Sequence, residues 1–424
     1  MSFDPLSDLL RFLQGSPSPW HAAQEIGNRL AEQDFTPLDE EEKWELEGGV
    51  PYFVQRGGSI CAFIAPKEAP KRGTILASHT DSPSLKLKPH PIFIEENLAF
   101  LKVEPYGSPI LRTWLNRDLA IAGRLFIDGK EGVEEEFVFL EEMPVMIPSL
   151  AIHLDREVND KPSAIDKERH LCPLLGIDTK GKTADHLLES LFGRAASSIL
   201  GADLYLTPLD PPRLLGLDGA LIGSYRVDNL VSAHAALLAL LATEKRPKDH
   251  LQMAVFYNHE EIGSGSDEGA SSPFFHDLLK RIALNCKMNE EDFLRMKKRS
   301  QIISIDMTHA YHPGYKKHYD KENSPETGKG VVIKYSANQR YATNGLTGAT
   351  IAKLCEEKKI PVQSFSPESN IPCGSTIGPI SAVATGIETV DIGLAQFSMH
   401  AARELVAAKD HLDLCKLLKA LLES

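Results

Sequence analysis

The alternation of short apolar runs with longer helical patterns limits the possible folds of this chain more than any other sequence feature. Strand-like runs occur at 74–79, 251–258 and 301–307, and helical patterns occupy 227–244 and 272–285. Strands that alternate with helices in this way are typical of a parallel sheet with helices packed on its faces. We therefore expect an α/β fold.

A β-rich stretch interrupts this alternation. Between about residues 91 and 218, short apolar runs such as LAIAGRLFI and EFVFLEE are broken by proline, glycine and charged turns. The total length of 424 residues is enough for roughly two or three domains. We therefore expect a discontinuous main domain, 1–90 and 219–424, with an inserted β-rich domain at 91–218.

Composition and charge exclude several classes of function. The formal net charge is −13 and the sequence has no long Lys/Arg run, so we expect binding neither to nucleic acid nor to anionic membranes. No window holds the roughly 18 apolar residues of a membrane-spanning helix. The six cysteines form no CxxC pair, and the N-terminus has no basic leader. These features predict a soluble protein of the reducing cytoplasm.

Polar side chains that can bind metal ions follow several of the strand-like runs. They are, in chain order, His79, Asp81, Glu260, Glu261 and Asp306. Because ligand sites of α/β sheets form at the carboxyl ends of the strands, we expect these side chains to lie at one edge. Two further candidates are Asp228, at the start of a helical pattern, and His400, before the C-terminal helix that we expect from about residue 400.

Each candidate alone has an ordinary structural explanation. A His-x-Asp sequence occurs often by chance, Asp228 is a suitable helix N-cap, and paired glutamates are commonly exposed loop acids. Taken together, two histidines and several carboxylates match the nitrogen and oxygen ligands of two divalent ions bridged by a carboxylate. The pair Glu260 and Glu261 fits such a site, because a cation compensates one carboxylate while the other, at a raised pKa, acts as general base. The sequence contains neither a GxSxG elbow nor a P-loop.

Segments in order over most of the chain resemble the aspartyl aminopeptidases, a family of dinuclear zinc exopeptidases. The resemblance rests on the motifs ASHTDSPSLKLKP, TWLNRDLAIAGR, IPSLAIHLDREVN, SYRVDNLVSAHAAL, NHEEIGSGSDEGASSPF, SIDMTHAYHP, GVVIKYSANQRYAT, IPCGSTIGPI and TVDIGLAQFSMHAARE. It implies a mixed sheet flanked by helices, with the insertion acting as a dimerisation domain.

The resemblance also implies a role for each candidate residue. The implied ligands are His79, Asp228 and Asp306 for one zinc ion, and Asp228, Glu261 and His400 for the other. Asp228 then bridges the two ions, Asp81 orients His79, and Glu260 is the general base that deprotonates a metal-activated water. Cobalt and manganese accept the same ligands.

Assembly and substrate choice follow from the resemblance as well. Members of the family form dimers that assemble into dodecamers, in which a histidine of the LAIHL segment, here His153, reaches the active site of a neighbouring subunit. Lys334, in VVIK, is the implied partner of an acidic substrate side chain. The resemblance thus predicts an aminopeptidase that removes N-terminal Asp or Glu from peptides with a free N-terminus.

Three alternatives remain open at this stage. Asn323 stands in a loop where the family usually has a histidine, so a broader neutral or leucine-type aminopeptidase is one alternative. A dinuclear-metal deacylase of N-acyl amino acids is the second, because both reactions use a metal-activated water on an amide. The third is a catalytically silent assembly protein on the same scaffold.

Overall fold

The computed structural model describes residues 4–177, 179 and 181–424. The strands among these residues are β1 (Thr36–Pro37), β2 (Pro51–Arg56), β3 (Ser59–Ile64), β4 (Arg72–His79), β5 (Ser84–Glu95), β6 (Leu98–Tyr106), β7 (Leu119–Gly129), β8 (Gly132–Val145), β9 (Leu174–Ile177), β10 (Ile199–Pro208), β11 (Arg213–Leu215), β12 (Leu221–Ser224), β13 (His250–Tyr257), β14 (Gln301–Ile305), β15 (Thr308–His309), β16 (Val331–Lys334), β17 (Val362–Phe365), β18 (Glu388–Gly393), β19 (Ala395–Phe397) and β20 (Glu404–Ala407). The α-helices are α1 (Pro5–Gln14), α2 (Pro19–Ala31), α3 (Ala184–Phe192), α4 (Val227–Leu241), α5 (Phe274–Asn285), α6 (Glu290–Arg299), α7 (Gly345–Lys358), α8 (Ile377–Thr385) and α9 (Ala408–Leu422).

The chain divides into two compact units. The larger unit comprises the chain through Ser82, Pro212–Met399 and Glu404–Ser424, and the inserted unit comprises Pro83–Pro211 and His400–Arg403. The sequence places the insertion at 91–218. The inserted unit begins before residue 91 because β5 pairs with β6 and β10, and it ends before 218 because β11 pairs with β12 of the larger unit.

A nine-stranded mixed sheet forms the centre of the larger unit. Its strand order is β1-β2-β3-β13-β4-β14-β18-β16-β17. The four central strands β13, β4, β14 and β18 are parallel, and β2 and β3 form a hairpin that turns at Gly57 and Gly58. The α/β fold expected from the alternating pattern is therefore confirmed.

Helix α4 is buried on nearly every side. Its residues from Val227 to Leu237 are all buried, and α1 and α9 pack against it. A helix that is apolar all round belongs to the interior of a large domain. The first turn of this helix, which carries Asp228, is therefore held by packing from several directions.

The C-terminal tail differs from the sequence prediction. A helix was expected from about residue 400, but β20 occupies Glu404–Ala407 and α9 begins only at Ala408. β20 pairs with β12 and β19 in a second, five-stranded sheet of the larger unit. Pairing with β19 and with β12, which is distant in sequence, overrides the local helical preference of this segment.

The inserted unit contains a six-stranded sheet of order β8-β7-β10-β5-β6-β9, whose strand pairs are all antiparallel. Helix α3 packs on β5. Among the residues described in both units, no helix has the length and apolar composition needed to cross a membrane.

Candidate metal centre

The parallel strands β13, β4 and β14 bring distant parts of the chain to one edge of the main sheet. Tyr257, the last residue of β13, is paired with His79, the last residue of β4. β14 is the neighbour of β4 on its other side. The segments that follow β13 and β14, which contain Glu260 and Asp306, therefore start beside His79.

His79 forms the middle of the first group of candidate ligands. Its ring is buried, and its Nε2 lies 3.5 Å from Asp228 Oδ1 and 3.4 Å from Asp306 Oδ1. A single ring nitrogen can share a proton with only one acceptor at a time. Two carboxylate oxygens at nearly equal distances from one nitrogen are the arrangement expected around a cation.

Glu261 joins Asp228 in a second group. Candidate ligand atoms of these two carboxylates lie within 4.8 Å of each other, and the structure also groups His79 with Glu260 and Glu261 within the same limit. Asp228 is thus close to the ligands of both groups. A carboxylate in this position has two oxygens that can be divided between two ions.

Asp81 connects the histidine with the glutamate pair. Its Oδ1 lies 3.3 Å from His79 Nδ1, and its two carboxylate oxygens accept hydrogen bonds from the backbone N–H groups of Glu260 and Glu261, both at 3.1 Å. With Nδ1 as the protonated nitrogen, His79 presents Nε2 to the other carboxylates. This is the usual outer contact of a metal-binding histidine.

Burial, together with the repulsion among the carboxylates, shifts the pKa values of the residues in this site. Burial, together with the charges of Asp306, Asp81 and Asp228, raises the pKa of Glu260 to about 8, although His79 opposes the shift. The pKa of Glu261 is raised well above its ordinary value, again mainly by burial. Burial alone would lower the pKa of His79, but its hydrogen bonds to three aspartates raise it well above the ordinary value.

These residues fit divalent cations. The donor set contains imidazole nitrogen and carboxylate oxygens and no thiolate, which suits zinc, cobalt or manganese in a hydrolytic site. Several buried carboxylates within a few ångströms are unfavourable without positive charge nearby. Bound cations of charge +2 reverse this balance, because they stabilise the ionised carboxylates.

Asp228 is held through its main chain by residues that sequence reasoning missed. Glu404 Oε2 accepts a hydrogen bond from Asp228 N at 3.1 Å, and Ser82 Oγ donates to the Asp228 carbonyl oxygen at 2.5 Å. Asn229 Nδ2 donates to Ser78 Oγ and to the Ile305 carbonyl oxygen at the end of β14. Only Asn229 had a sequence signal, as the neighbour of Asp228; Glu404 lay in a segment predicted to be helical.

His400 lies between β19 and β20, in the short segment 400–403 that belongs to the inserted unit. Its Nδ1 is 3.1 Å from the Ser108 carbonyl oxygen of the same unit. With the proton on Nδ1, Nε2 carries the lone pair that a metal ligand needs. Its place in the second ligand set is part of the proposal below.

Lys334 and His153 lie in different surroundings. Lys334 is buried at the end of β16, and its Nζ donates to the carbonyl oxygens of Asp306 and Met307 at 2.9 and 2.8 Å and lies 3.5 Å from Asp306 Oδ2. Its positive charge is therefore next to the first ligand group. His153 is exposed in a turn of the inserted unit.

Comparison with known proteins places this chain in a family. The model of the family described as "Aminopeptidase I zinc metalloprotease (M18)" matches residues 12–422. A probable M18 family aminopeptidase 2 of Streptomyces avermitilis is 38% identical over 423 residues, which cover 98% of this chain and 97% of the relative. The protein of the same description from Mycobacterium leprae is 36% identical over 412 residues, covering 95% of each.

Solved structures agree with this assignment. A cryo-electron microscopy structure of the Ape4 and Nbr1 complex matches with a TM-score of 0.92 and 33% identity, covering 99% of this chain and 85% of that one. A crystal structure of the M18 aminopeptidase from Thermotoga maritima matches with a TM-score of 0.87 and 26% identity, covering 98% and 95%. The mApe1 dodecamer of S. cerevesiae matches with a TM-score of 0.85 and 26% identity, covering 98% and 96%. The chain therefore belongs to the M18 family of zinc aminopeptidases.

Proposed function

We propose that this zinc aminopeptidase removes N-terminal Asp or Glu from peptides, with a pair of divalent ions and Glu260 as general base. The observation that carries the proposal is the position of Asp228, which is close both to His79 and Asp306 and to Glu261. One carboxylate between two sets of ligands is what a pair of bridged ions requires.

The chain offers ligands for both ions. His79, Asp228 and Asp306 would hold the first, and Asp228, Glu261 and His400 the second. When bound, the ions would supply positive charge that lowers the pKa of a water molecule and polarises the scissile carbonyl. Asp81 keeps His79 in orientation and fixes the backbone of the glutamate pair.

Glu260 is the residue best suited to move the proton. Its backbone N–H is fixed by Asp81, and its carboxylate lies near His79 and Glu261. A general base near the site can take a proton from the attacking water and then give it to the leaving amine. Bound cations would lower the pKa of this carboxyl group again, so that it is ionised and can accept the proton.

Lys334 supports the preference for acidic residues. In a protein of net charge −13, an acidic substrate side chain needs a local cation. The ammonium group of Lys334 lies beside Asp306, and two main-chain carbonyls fix its position. Its three N–H donors are directed at Asp306 and Met307, so an acidic substrate side chain would have to replace one of these contacts.

Self-association is the remaining part of the proposal. The inserted unit exposes a run of apolar side chains, with Leu150, Ile152 and Leu154 at 62%, 48% and 74% exposure. Patches of this kind mark protein–protein contacts, and the mApe1 relative is described as a dodecamer. We propose that a second copy of the chain covers this run and that His153 within it contacts substrate bound to the neighbouring copy.

A substrate panel tests the proposal. Peptides that differ only in an N-terminal Asp, Glu, Leu or Lys are assayed with the zinc-loaded enzyme and after complete removal of metal by a chelator. We expect the Asp and Glu peptides to be cleaved faster and all activity to disappear with the metal. Faster cleavage of the Leu peptide would contradict the acidic preference, and full activity without metal would contradict the mechanism.

An N-acetylated Asp peptide completes the panel. An aminopeptidase that needs a free α-amino group leaves it intact, whereas a deacylase removes the acetyl group. Release of acetate at a rate similar to peptide cleavage would favour the deacylase alternative.

A further inference from the structure

The TWLNRD motif at 113–118 contains no candidate ligand, yet it makes specific contacts within the inserted unit. The backbone N–H of Asn116 and both polar atoms of its side-chain amide form hydrogen bonds with one neighbouring segment, residues 147–149. Its backbone N–H donates to the Ile147 carbonyl oxygen at 2.9 Å, its Nδ2 donates to Ser149 Oγ at 2.9 Å, and its Oδ1 accepts from Ser149 N at 3.0 Å.

The conformation of Asn116 suits this task. Its φ of 58° lies in the left-handed region, where asparagine is one of the few tolerated side chains. The short 3₁₀ turn Leu111–Trp114 precedes it, and the side chain of Trp114 is fully buried. Asn116 is therefore attached to a rigid part of the unit.

The segment held by Asn116 begins a long loop. Apart from turns, the chain has no helix or strand between β8 and β9, and loops of this length without secondary structure need external contacts to adopt one conformation. Arg112, in the same 3₁₀ turn, donates to the Ser163 carbonyl oxygen farther along the loop. Arg112 and Asn116 thus hold the chain on both sides of 150–162.

This loop carries His153. We propose that Asn116 is a positioning residue that aligns His153 for the active site of a neighbouring copy. The inference rests on the self-association and the His153 contact of the proposed function. The inference goes beyond that proposal because it names what holds His153 in position. His153 is exposed and lies four residues beyond Ser149, so it can reach a defined place in another chain only if the backbone at Ser149 is fixed.

Asn116→Gly is the cleanest substitution, because glycine keeps the left-handed conformation while the amide contacts are lost. We expect kcat/KM for an Asp peptide to fall ~10²-fold, the loss that follows a displacement of about 1 Å in a site residue. Zinc content and native mass should stay at wild-type values.

Asn116→Asp, which keeps the acceptor for Ser149 N, should lose less. Lys359→Gly, at a φ of 56° in the larger unit, is the control and should leave kcat/KM unchanged.

Hybrid assemblies separate positioning from a general structural role. Asn116→Gly subunits keep Glu260 but have a misplaced His153. Glu260→Gln subunits lack the base but keep His153 in position. Co-expressed with two tags and purified as mixed assemblies, they should recover about a quarter of wild-type turnover per subunit, since half the subunits keep Glu260 and half of their neighbours keep the loop. A purely structural defect in Asn116→Gly would not be rescued.

A second hybrid, of His153→Ala with Glu260→Gln, separates the role of Asn116 from the contact that His153 makes with a neighbouring copy. Recovery in this hybrid without recovery in the Asn116→Gly hybrid would overturn the role of Asn116 and leave His153 in place. Failure of both would overturn the contact between copies and, with it, the inference. Wild-type kcat/KM in Asn116→Gly alone would also overturn the inference.

Discussion

At the scale of single residues, Asp81 orders more of the candidate site than any ligand does. One carboxylate contacts the ring of His79 and the backbone N–H groups of both glutamates. Its side chain is fully buried, so these contacts replace its hydration. The orientation of His79 and the position of Glu260 therefore depend on the same group.

Asp81→Ala should weaken metal binding up to about 10-fold, the lower end of the loss seen when the outer partner of a metal-binding histidine is removed, because the main-chain carbonyl oxygen of residue 81, 3.1 Å from His79 Nδ1, remains. Titration of the protein against a zinc-chelating dye measures the affinity. Asp81→Asn is the matched variant, because it keeps an acceptor oxygen and should lose less. Unchanged zinc affinity in Asp81→Ala would show that His79 is oriented by other contacts.

Glu260→Gln should lower kcat by about 10²- to 10⁴-fold, the range that a general base contributes. Zinc content by elemental analysis should remain that of the wild type, because Glu260 is not one of the proposed ligands. The structure also brings Glu260 near His79 and Glu261. Loss of zinc from this variant would therefore identify Glu260 as a ligand and contradict its assignment as the base.

At the scale of elements, the strands were predictable where their apolar patterns are strong. The strand-like runs at 74–79, 251–258 and 301–307 correspond to β4, β13 and β14. β20 was not predictable from its own residues. It is a strand because β12 and β19 pair with it, and a partner as distant in sequence as β12 leaves no local signal.

In the candidate site, too, some positions follow from local sequence patterns and others depend on contacts between distant segments. Ligand sites of α/β sheets form at the carboxyl ends of the strands, and His79, Glu260 and Asp306 were predicted to lie at one edge for this reason. The support of Asp228 by Glu404 depends on a strand of the second sheet, and the contact of Lys334 with Asp306 depends on the position of β16. Contacts between such distant segments cannot be predicted from the local sequence and are recognised only in the tertiary structure.

The start of β13 provides a pH-dependent contribution to stability. Burial, together with the charge of Arg72, lowers the pKa of His250 to about 4 from the ordinary 6.5. Between these values the unfolded chain binds more protons than the folded one, so the free energy of unfolding falls as the pH falls, by at most about 3 kcal/mol. Above pH 6.5 the contribution is fully present.

His250→Gln should therefore reduce the loss of stability between pH 7 and pH 5, because glutamine does not titrate and can still bond to Thr74 Oγ1, the present partner of His250 Nε2 at 3.0 Å. Denaturant midpoints at the two pH values measure the effect. An equal decrease in the variant and the wild type would assign the pH dependence to other groups.

At the scale of the whole molecule, the exposed apolar run of the inserted unit is the feature that predicts assembly. The pair of substitutions Leu150→Asp and Ile152→Asp should convert the assembly to smaller species in native mass spectrometry, because an unpaired carboxylate buried in a contact costs several kcal/mol. Leu284→Asp, on the larger unit at 63% exposure, is the matched control. An unchanged native mass in the double variant would place the contact elsewhere.

The first ligand group joins residues that are far apart in the order of synthesis. His79 leaves the ribosome early, but its partner Asp306 follows β14, and β14 can pair with β4 only after some three quarters of the 424 residues have been made. A nascent chain or an early termination product thus lacks one of the ligands proposed for the first ion. We therefore expect peptidase activity only once the central sheet has formed.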